Sequence, residues 1–518
     1  MTYELARPSK MKEFFKPSFR HNPRRCPPGA MRDLAARALG TNHVWVSLFL
    51  GVCMQLCAGT LYSVTAWGVT LKEVAGWNSD ESLGVAETVG TMGINIAFHN
   101  GFLVDRLGSR PMSAVAALAL FSGWHLLANV ASSGGSPSAA ALALWLVGQG
   151  SITAFMCSLD ANVGNFSEEN QGKAHGLLLS GFGGSAALFA TVYRSHFAGV
   201  PTALPSFFRG AGYVTAVVCV AGALLLKDAR HGDKSKARRV VREEGEEGEG
   251  PELVGSCERS DGIEMSTMSK DGGMSRTQME SFANLHAMTH GTDDGEDETT
   301  WQYLRGVAGR PLYWVIFVIV ACTIGTALLW VNEAGSFTHV LTGSRKGLSN
   351  MVVAFSLGNV FGRLGAGWAS DVVELSFSAP RSVFLSFGGA LFSVSMAALA
   401  GSERTSSSSR MFSAVGVGLA GGTVMSSWTA IVRRSFGAER FGLNLAVYNF
   451  AMAIGSGILN GLAAAATETE DEQKEINNLR LVFWMAAVCN ALAAVIGIVA
   501  TRILREENAR MGYQMTTI

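Results

Sequence analysis

The sequence has few charged residues for its length. Asp, Glu, Lys and Arg make up 16% of the 518 residues, whereas hydrophobic residues make up 48%. Soluble domains average about 25% charged residues. The deficit therefore excludes an ordinary water-soluble protein and favours one embedded in lipid. The charges that remain crowd into the N-terminus, one central segment and the ends of long apolar runs.

The signatures of an enzyme or a metalloprotein are also lacking. The eight Cys residues are scattered, mostly within apolar runs, without the spacing of a disulfide framework or a metal site. No nucleophile–base pair, phosphate-binding loop or metal-ligand cluster occurs, and the Gly-rich stretch 181–184 is interpreted as helix packing. We therefore expect no enzymatic activity, cofactor or metal, and no nucleic-acid partner.

The sequence does contain twelve long apolar runs, each near the ~20 residues that a membrane-spanning helix needs. Their predicted limits are 44–67, 84–104, 111–131, 139–163, 173–193, 209–227, 311–334, 347–370, 382–401, 411–432, 442–465 and 481–502. Between the sixth and seventh runs lies a segment rich in Gly, Glu, Ser and Asp. This composition is too polar to bury a core, which predicts a disordered linker.

The predicted organisation is thus two sets of six spans between polar segments. The predicted parts are a basic tail 1–43, a first bundle 44–227, a linker 228–310, a second bundle 311–502 and a C-terminal tail 503–518. Most Lys and Arg lie in segments that would share one side of the membrane, which predicts that both termini and the linker are cytosolic. No removable signal peptide is predicted. Either the plasma membrane or an endomembrane is compatible with this pattern.

A short charged turn joins the second and third runs, with the sequence Gly101-Phe102-Leu103-Val104-Asp105-Arg106-Leu107-Gly108-Ser109-Arg110. Charges between two spans are cheapest in water, so this turn must lie at a membrane surface. The pattern resembles the loop between the second and third helices of the major facilitator superfamily of secondary transporters. In that family the loop is a cytoplasmic latch whose Asp contacts a helix end of the other half. The resemblance assigns a gating role to Gly101, Asp105, Arg106, Gly108 and Arg110, and to a partial repeat at Gly367 and Asp371.

The two halves of the chain carry related motifs. Gly101-x-x-x-Asp105 recurs as Gly367-x-x-x-Asp371, although the second copy lacks the following basic residues. The motif Phe166-x-x-Glu169-x-x-Gly172 likewise recurs at 436–442. The resemblance to the superfamily implies an all-α membrane fold of twelve transmembrane helices in two pseudo-symmetric six-helix bundles. It also implies a substrate site between the bundles, near the middle of the membrane.

A closer resemblance is to the nodulin-like branch of the superfamily. The motifs that carry it are Cys57-Ala58-Gly59-Thr60-Leu61-Tyr62, Asn165-Phe166, Gly172-Lys173, Asn359-x-x-Gly362-Arg363 and Gly367-x-x-Ser370-Asp371. Monocarboxylate transporters are similar more distantly: their eighth helix has an Asp four residues before a substrate-binding Arg. Here that Asp is replaced by Asn359, and the Lys of their first helix by Thr65, so proton–lactate cotransport by their mechanism is not expected.

Arg363 is the clearest candidate for substrate binding. It lies inside the eighth predicted span, where a charge costs about 2.5–3.5 kcal/mol on insertion scales and therefore needs a reason. Its guanidinium suits a carboxylate, and Asn359 lies one helical turn away on the same face. An anion anchor in the central cavity is one interpretation. An internal ion pair with Asp160 or Asp371, or extension to the cytosolic surface, is an equal alternative.

Other polar residues inside the spans are further candidates. The predicted cavity-facing residues, besides Arg363 and Asn359, are Gln55, Tyr62, Asn95, His99, Asn332, Tyr448 and Asn449. Thr91, Asn95 and His99 have the i, i+4 spacing that predicts one common helix face. Asp160, near the cytosolic end of the fourth span, is the candidate for proton coupling if burial favours its protonated form. A solvated charge at a helix end, or a partner of Arg363, is an equal alternative.

These observations favour a secondary transporter of a small polar or anionic solute, such as a monocarboxylate-like organic anion. Two alternatives stay open. One is an iron or iron-chelate transporter of the same fold. The other is a membrane receptor or scaffold that acts through its central linker without transport. The expected partners are the solute and the lipid bilayer, and the protein is expected to be a monomer.

Overall fold

The computed structural model of the chain describes residues 30–77, 80–227, 299–342, 348–377, 379–401, 407–467 and 471–510. The regular structure in these ranges is helical, with no strand among them. The α-helices are α1 (Ala30–Ala58), α2 (Val64–Ala75), α3 (Asp80–Asn95), α4 (Phe98–Leu107), α5 (Ser109–Ser133), α6 (Pro137–Val163), α7 (Glu168–His196), α8 (Leu204–Leu225), α9 (Thr300–Ala308), α10 (Pro311–Thr342), α11 (Leu348–Phe377), α12 (Val383–Ala400), α13 (Ser407–Phe436), α14 (Phe441–Thr467) and α15 (Glu472–Arg510). Two short 3-10 helices cover Thr60–Ser63 and Pro201–Ala203.

These helices account for the twelve predicted spans. The first span is α1 and α2 with the 3-10 helix between them, bent by 45°, and the second is α3 followed by α4. The third to sixth spans are α5 to α8, and the seventh to twelfth are α10 to α15. By length and composition, 9 described helices, or 10 with the bent first span, could each cross a membrane. The broken second span and α11, which contains several charged residues, complete the set of twelve, so the predicted architecture is confirmed.

The bend in the first span has a local cause. The hydroxyl of Thr60 donates to the Cys57 carbonyl at 2.9 Å, and the hydroxyl of Ser63 donates to the Thr60 carbonyl at 2.7 Å. These side chains satisfy backbone oxygens where the α-helical ladder is interrupted, which is a recurrent cause of helix bending. The bend turns Tyr62 and Thr65 toward the space between the bundles.

The packing of the helices repeats between the two halves. In the first half α5 packs against α6 and α8, and α3 packs against α6; in the second half α12 packs against α13 and α15, and α11 against α13. The bundles meet through α7 with α11 and through α4 with α14, which are the fifth span with the eighth and the second with the eleventh. Those two contacts are related by the same internal symmetry as the bundles.

The polar segments contain more helix than the sequence predicts. The predicted disordered linker ends at residue 310, but α9 lies within its last part, where Thr299 and Gln302 form a capping box. The hydroxyl of Tyr303 on α9 donates to the Phe436 carbonyl at 3.0 Å and accepts from the Asn444 side chain at 2.7 Å. Composition alone does not reveal an anchor of this kind. Similarly, α1 begins within the predicted basic tail and α15 continues into the predicted C-terminal tail, while residues 1–29, 228–298 and 511–518 lie outside the described ranges.

Candidate functional site

A cavity lies between the two bundles. Residues from eight spans line it: the first, second, fourth and fifth in one half, and the seventh, eighth, tenth and eleventh in the other. The space bounded by its lining residues, including its open mouth, is about 1090 Å³. Most of the lining is apolar, so its few polar side chains decide what binds. Those side chains belong to Tyr62, Thr65, Asn95, Ser356, Asn359, Arg363 and Asn449.

Arg363 is the charged residue in this lining. Its side chain is buried, with 3% of the residue exposed. One guanidinium nitrogen, Nη1, donates to the Leu179 carbonyl of α7 at 2.7 Å, and the guanidinium carbon lies 5.1 Å from the centre of the Phe182 ring. The nitrogen Nε has no hydrogen-bond partner. Arg363 makes no ion pair with any acidic residue in the described ranges, so its charge is held by a carbonyl and an aromatic face alone.

The two carboxylates proposed as internal partners of Arg363 are engaged elsewhere. Asp160 accepts a hydrogen bond from the Ser109 hydroxyl at 2.8 Å and lies 3.8 Å from Arg433. Asp371 forms an ion pair with Arg381 at 2.8 Å. The structure therefore does not support the alternative in which Arg363 is neutralised internally.

Polar atoms without partners accompany Arg363 in the cavity. Asn359 Oδ1 and Asn449 Nδ2 are buried and lack hydrogen bonds, although buried polar groups are normally satisfied. Gly183 of α7 leaves space beside two of these groups: a Cβ atom there would lie 2.6 Å from Asn359 Oδ1 and 3.4 Å from Arg363 Nε. The Gly-rich stretch interpreted as packing thus also forms part of the cavity wall. Asn359, Arg363 and Gly183 therefore form a polar corner of the cavity, with an unpaired acceptor on Asn359 and an unpaired donor on Arg363.

Not every predicted residue faces this cavity. His99 is exposed, because the break between α3 and α4 rotates it away from the face that carries Asn95; the prediction of one continuous face is wrong. Gln55 is buried and donates to the Phe155 carbonyl at 3.2 Å and to Ser158 at 2.7 Å. Tyr448 is also buried, and its hydroxyl donates to the Tyr313 carbonyl at 3.1 Å. Gln55 and Tyr448 therefore join helices and do not line the cavity.

A second, smaller cavity adjoins the first and shares Tyr62, Thr65 and Val331 with it. Asn332, an exposed residue predicted to face the substrate, lines this second cavity. So does Glu87 of α3, a half-buried acid that sequence reasoning missed. No sequence pattern indicated Glu87, because it lies near the start of a predicted span, where a charged side chain is expected to be solvated.

Asp105 of the charged turn forms hydrogen bonds with the second half of the protein. Its two carboxylate oxygens accept hydrogen bonds from the backbone N–H groups of Gly442 and Leu443, each at 2.8 Å. These groups belong to the first turn of α14, where unpaired N–H groups and the helix dipole favour a negative charge. Gly101 lies against the same turn, and a Cβ there would collide with the Gly442 carbonyl. We call the end of the bundle that carries Asp105 and Asp371 the latch end.

The other residues of the turn hold its shape. Gly108 has φ +88°, a conformation that favours glycine. Arg110 Nε donates to the Leu226 carbonyl at 2.6 Å, just beyond the C-terminus of α8. The guanidinium carbon of Arg106 lies 5.1 Å from the Phe102 ring centre. Ser109, which departs from the basic residue of the family pattern, makes the hydrogen bond to Asp160.

The repeated motif makes the equivalent contact in the other direction. Asp371 of α11 accepts hydrogen bonds from the N–H groups of Gly172 at 3.0 Å and Lys173 at 2.9 Å, in the early part of α7. The basic partner absent from its motif comes from Arg381, whose Nε also donates to Glu374 at 2.7 Å. Arg434 forms a further ion pair with Glu374. Both halves thus have a charged latch, but in the second half its cations lie outside the motif: Arg381 follows α11, and Arg434 lies at the end of α13.

Asp160 belongs to this latch end and does not line the cavity. Its ion pair with Arg433 joins α6 of the first half to α13 of the second. His175 of α7 and Thr429 of α13 make another contact between the halves, with 2.6 Å between Nε2 and Oγ1. The bundles are therefore fastened together at the latch end, between the central cavity and that surface.

An all-helical protein of two related six-helix bundles around a central cavity has the architecture of a secondary transporter. The Nodulin-like family profile matches residues 44–243, and the Major Facilitator Superfamily profile matches residues 315–512. The chain belongs to the major facilitator superfamily, in its nodulin-like branch, whose members are transporters and not enzymes as a rule. The comparison with curated protein sequences gives no match.

Solved structures of transporters share this fold. The proton:xylose symporter XylE bound to 6-bromo-6-deoxy-D-glucose is 13% identical, with a TM-score of 0.59, over 88% of this chain and 95% of the symporter chain. The human organic anion transporter MFSD10 (TETRAN) is 14% identical, with a TM-score of 0.53, over 87% of this chain and 99% of its own. At these identities the likeness concerns the fold alone.

Proposed function

We propose that this transporter carries a small organic anion, and that Arg363 binds the anion in the central cavity during alternating access. The observation that carries the proposal is a buried guanidinium with a free Nε and no acidic partner in the described ranges. A guanidinium pairs with carboxylates through two parallel hydrogen bonds, which makes it the side chain best suited to this task.

The energetics favour a ligand of negative charge. An unpaired charge in a desolvated site costs several kcal/mol, and here a backbone carbonyl and the Phe182 ring offset only part of that cost. An incoming carboxylate would neutralise Arg363 and exchange its own water for charge-assisted hydrogen bonds. A cation would add to the repulsion, and a neutral solute would leave the charge uncompensated.

The unpaired amides set the size and polarity of the solute. Asn359 lies beside Arg363 on α11, and its Oδ1 can accept a hydrogen bond from a ligand hydroxyl. Asn449 Nδ2 offers a donor from the opposite wall, on α14. A short carboxylate with a polar group, small enough to leave the apolar lining in contact with its carbon atoms, matches this arrangement.

The latch contacts supply the gate for alternating access. In the described state Asp105 and Asp371 each bond the early part of a helix in the other bundle, so the path from the cavity to the latch end is closed. The second cavity, lined by Val331 and Asn332, lies toward the opposite end. With the latch end in the cytosol, as the distribution of Lys and Arg predicts, this state is outward-facing.

Counterflow in proteoliposomes tests the proposal. Proteoliposomes containing the purified protein are loaded with one unlabelled carboxylate at a time. Labelled solutes (carboxylates, neutral amino acids and iron chelates) are then added outside the vesicles. We expect the wild-type protein to take up a small carboxylate. For Arg363→Ala we expect kcat/KM to fall at least about 100-fold, because loss of a buried charge pair removes about 3 kcal/mol or more of interaction free energy. The matched control is Arg209→Ala, which removes an exposed guanidinium from α8.

Two results would contradict the proposal. Unchanged carboxylate uptake by folded Arg363→Ala protein would end the role of Arg363. Saturable binding of the carboxylate by the wild-type protein without any flux would instead favour a receptor.

A further inference from the structure

Glu87 occupies a position that the anion site does not explain. It lies on α3 in the second cavity, next to the central one, and is half-buried. Tyr62 lines both cavities and so connects the Glu87 compartment with that of Arg363. Gly68 of α2 provides the space for the carboxylate, since a Cβ there would lie 3.1 Å from Glu87 Oε1.

No Lys, Arg or His is among the described residues that line the cavity of Glu87. Among the described residues none forms an ion pair or a side-chain hydrogen bond with the Glu87 carboxylate, and Lys72, one turn beyond Gly68 on α2, does not line this cavity. The α6 wall contributes Leu144 and the α10 wall contributes Val331 and Asn332. Tyr62 is the other titratable group of this cavity.

The neighbouring elements add no further charge at this point. Thr91, on the next turn of α3, donates its hydroxyl to the Glu87 carbonyl at 3.0 Å. Across the central cavity, α14 presents Asn449 and Met452. Neither can neutralise a carboxylate, so a bound proton is the simplest way to do so.

Charge balance links this carboxylate to the anion. With the cavity empty, Arg363 is positive and Glu87 is negative. A bound anion neutralises Arg363 but leaves Glu87 negative near the entry path, where closing the bundles would desolvate its charge without a partner. A proton on Glu87 removes that charge, so the carrier can close over the anion with both compartments neutral.

We propose that Glu87 is the proton-binding residue of this carrier, and that one proton on its carboxylate crosses the membrane with each anion bound at Arg363. This inference rests on the proposed anion transport and adds its driving force. Asp160, the acid that the sequence favoured for this role, is tied to Ser109 and Arg433 at the latch end and has no place in the lining of either cavity.

The test compares gradient-driven uptake with counterflow in the same proteoliposomes. With an inward proton gradient and the membrane potential clamped, a wild-type symporter of a monoanion should accumulate it about tenfold for each pH unit, because one unit is 1.36 kcal/mol. Glu87→Gln mimics the protonated acid. We expect it to keep counterflow, to lose accumulation altogether and to move no protons, as recorded by a pH dye inside the vesicles.

Glu73→Gln is the matched control, because Glu73 is exposed at the end of α2 and should retain coupling. Accumulation by Glu87→Gln, or loss of its counterflow in folded protein, would overturn the role of Glu87. Accumulation by the wild type on a sodium gradient alone would overturn it as well.

If Glu87→Gln does not fold, Glu87→Asp replaces it: the pH midpoint of uptake should move, and an unchanged pH profile would refute the proposal. Absence of any carboxylate counterflow in the wild type would be a different result, a failure of the proposed function itself.

Discussion

The latch at Asp105 allows the sharpest quantitative prediction. Asp105 accepts two hydrogen bonds from the first turn of α14, at 2.8 Å each. Asp105→Asn keeps the shape of the side chain but has one acceptor oxygen, so its amide group faces a backbone N–H. The substitution leaves one backbone N–H group of α14 without an acceptor and removes the negative charge at the helix N-terminus. Together these changes should destabilise the latch-closed state by about 2 kcal/mol.

That cost has a measurable consequence. A change of about 2 kcal/mol shifts a two-state equilibrium about thirtyfold, enough to populate a latch-open state that is rare in the wild type. Spin labels at Leu107→Cys and Glu439→Cys, both at the latch end, report the separation of the bundles by double electron–electron resonance after removal of the native cysteines. We expect a longer distance to appear in Asp105→Asn.

The control and the refuting result follow from the same geometry. Asp471 is exposed and accepts a hydrogen bond from Gln473 N–H at 2.9 Å within its own segment. Asp471→Asn makes the same chemical change away from the contact between the bundles, and it should leave the distance distribution unchanged. Identical distributions for the wild type and Asp105→Asn would show that the two hydrogen bonds do not hold the latch.

Two further substitutions probe the second latch and the cavity wall. Asp371→Asn should cost the latch-closed state about 3 kcal/mol, more than Asp105→Asn does, because it also removes an ion pair of the buried Arg381, which keeps its pair with Glu374. An effect no larger than that of Asp105→Asn, by the same label distances, would contradict this ranking. Gly183→Val should place a bulky side chain in the polar corner beside Asn359 and Arg363. We expect the KM of the carboxylate to rise at least about tenfold, which corresponds to a loss of about 1.4 kcal/mol of binding free energy. The control for the second change is Gly199→Val, in an exposed loop with open space around it; an unchanged KM for Gly183→Val would place the anion elsewhere.

The helix α9 gives the central linker a structural connection to the latch. Tyr303 bonds Asn444, which follows directly on the two residues whose N–H groups meet Asp105. Arg310, after α9, donates to the Ser435 carbonyl at 2.6 Å and pairs with Glu507 at 3.1 Å. The end of the linker is therefore fixed to the end of α13 and to the start of α14, the same helix start that Asp105 contacts.

The sequence by itself determined the architecture, because that depends on local composition. Twenty apolar residues in a row are costly to expose to water, wherever they lie in the chain. The twelve spans and the internal repeat therefore follow from the order of the residues alone, and so does the surface position of the turn around Asp105, whose charges must be solvated. The same reasoning selected Arg363 and Asn359 as candidates for substrate binding, since polar groups in a span are costly and few.

Only the tertiary structure decided what those polar groups contact. Whether Arg363 meets an acidic residue, or only a carbonyl and an aromatic ring, depends on α7, α11 and α13 coming together from distant parts of the chain. Arg381 completes the second latch although the motif around Asp371 lacks a cation, because the fold brings the residue that follows α11 back to it. His99 leaves the predicted face because α3 and α4 are broken apart, and Glu87 becomes half-buried because α2 offers it Gly68. Burial and partner choice depend on how the helices break, turn and pack in three dimensions, and for that reason the sequence patterns alone did not contain them.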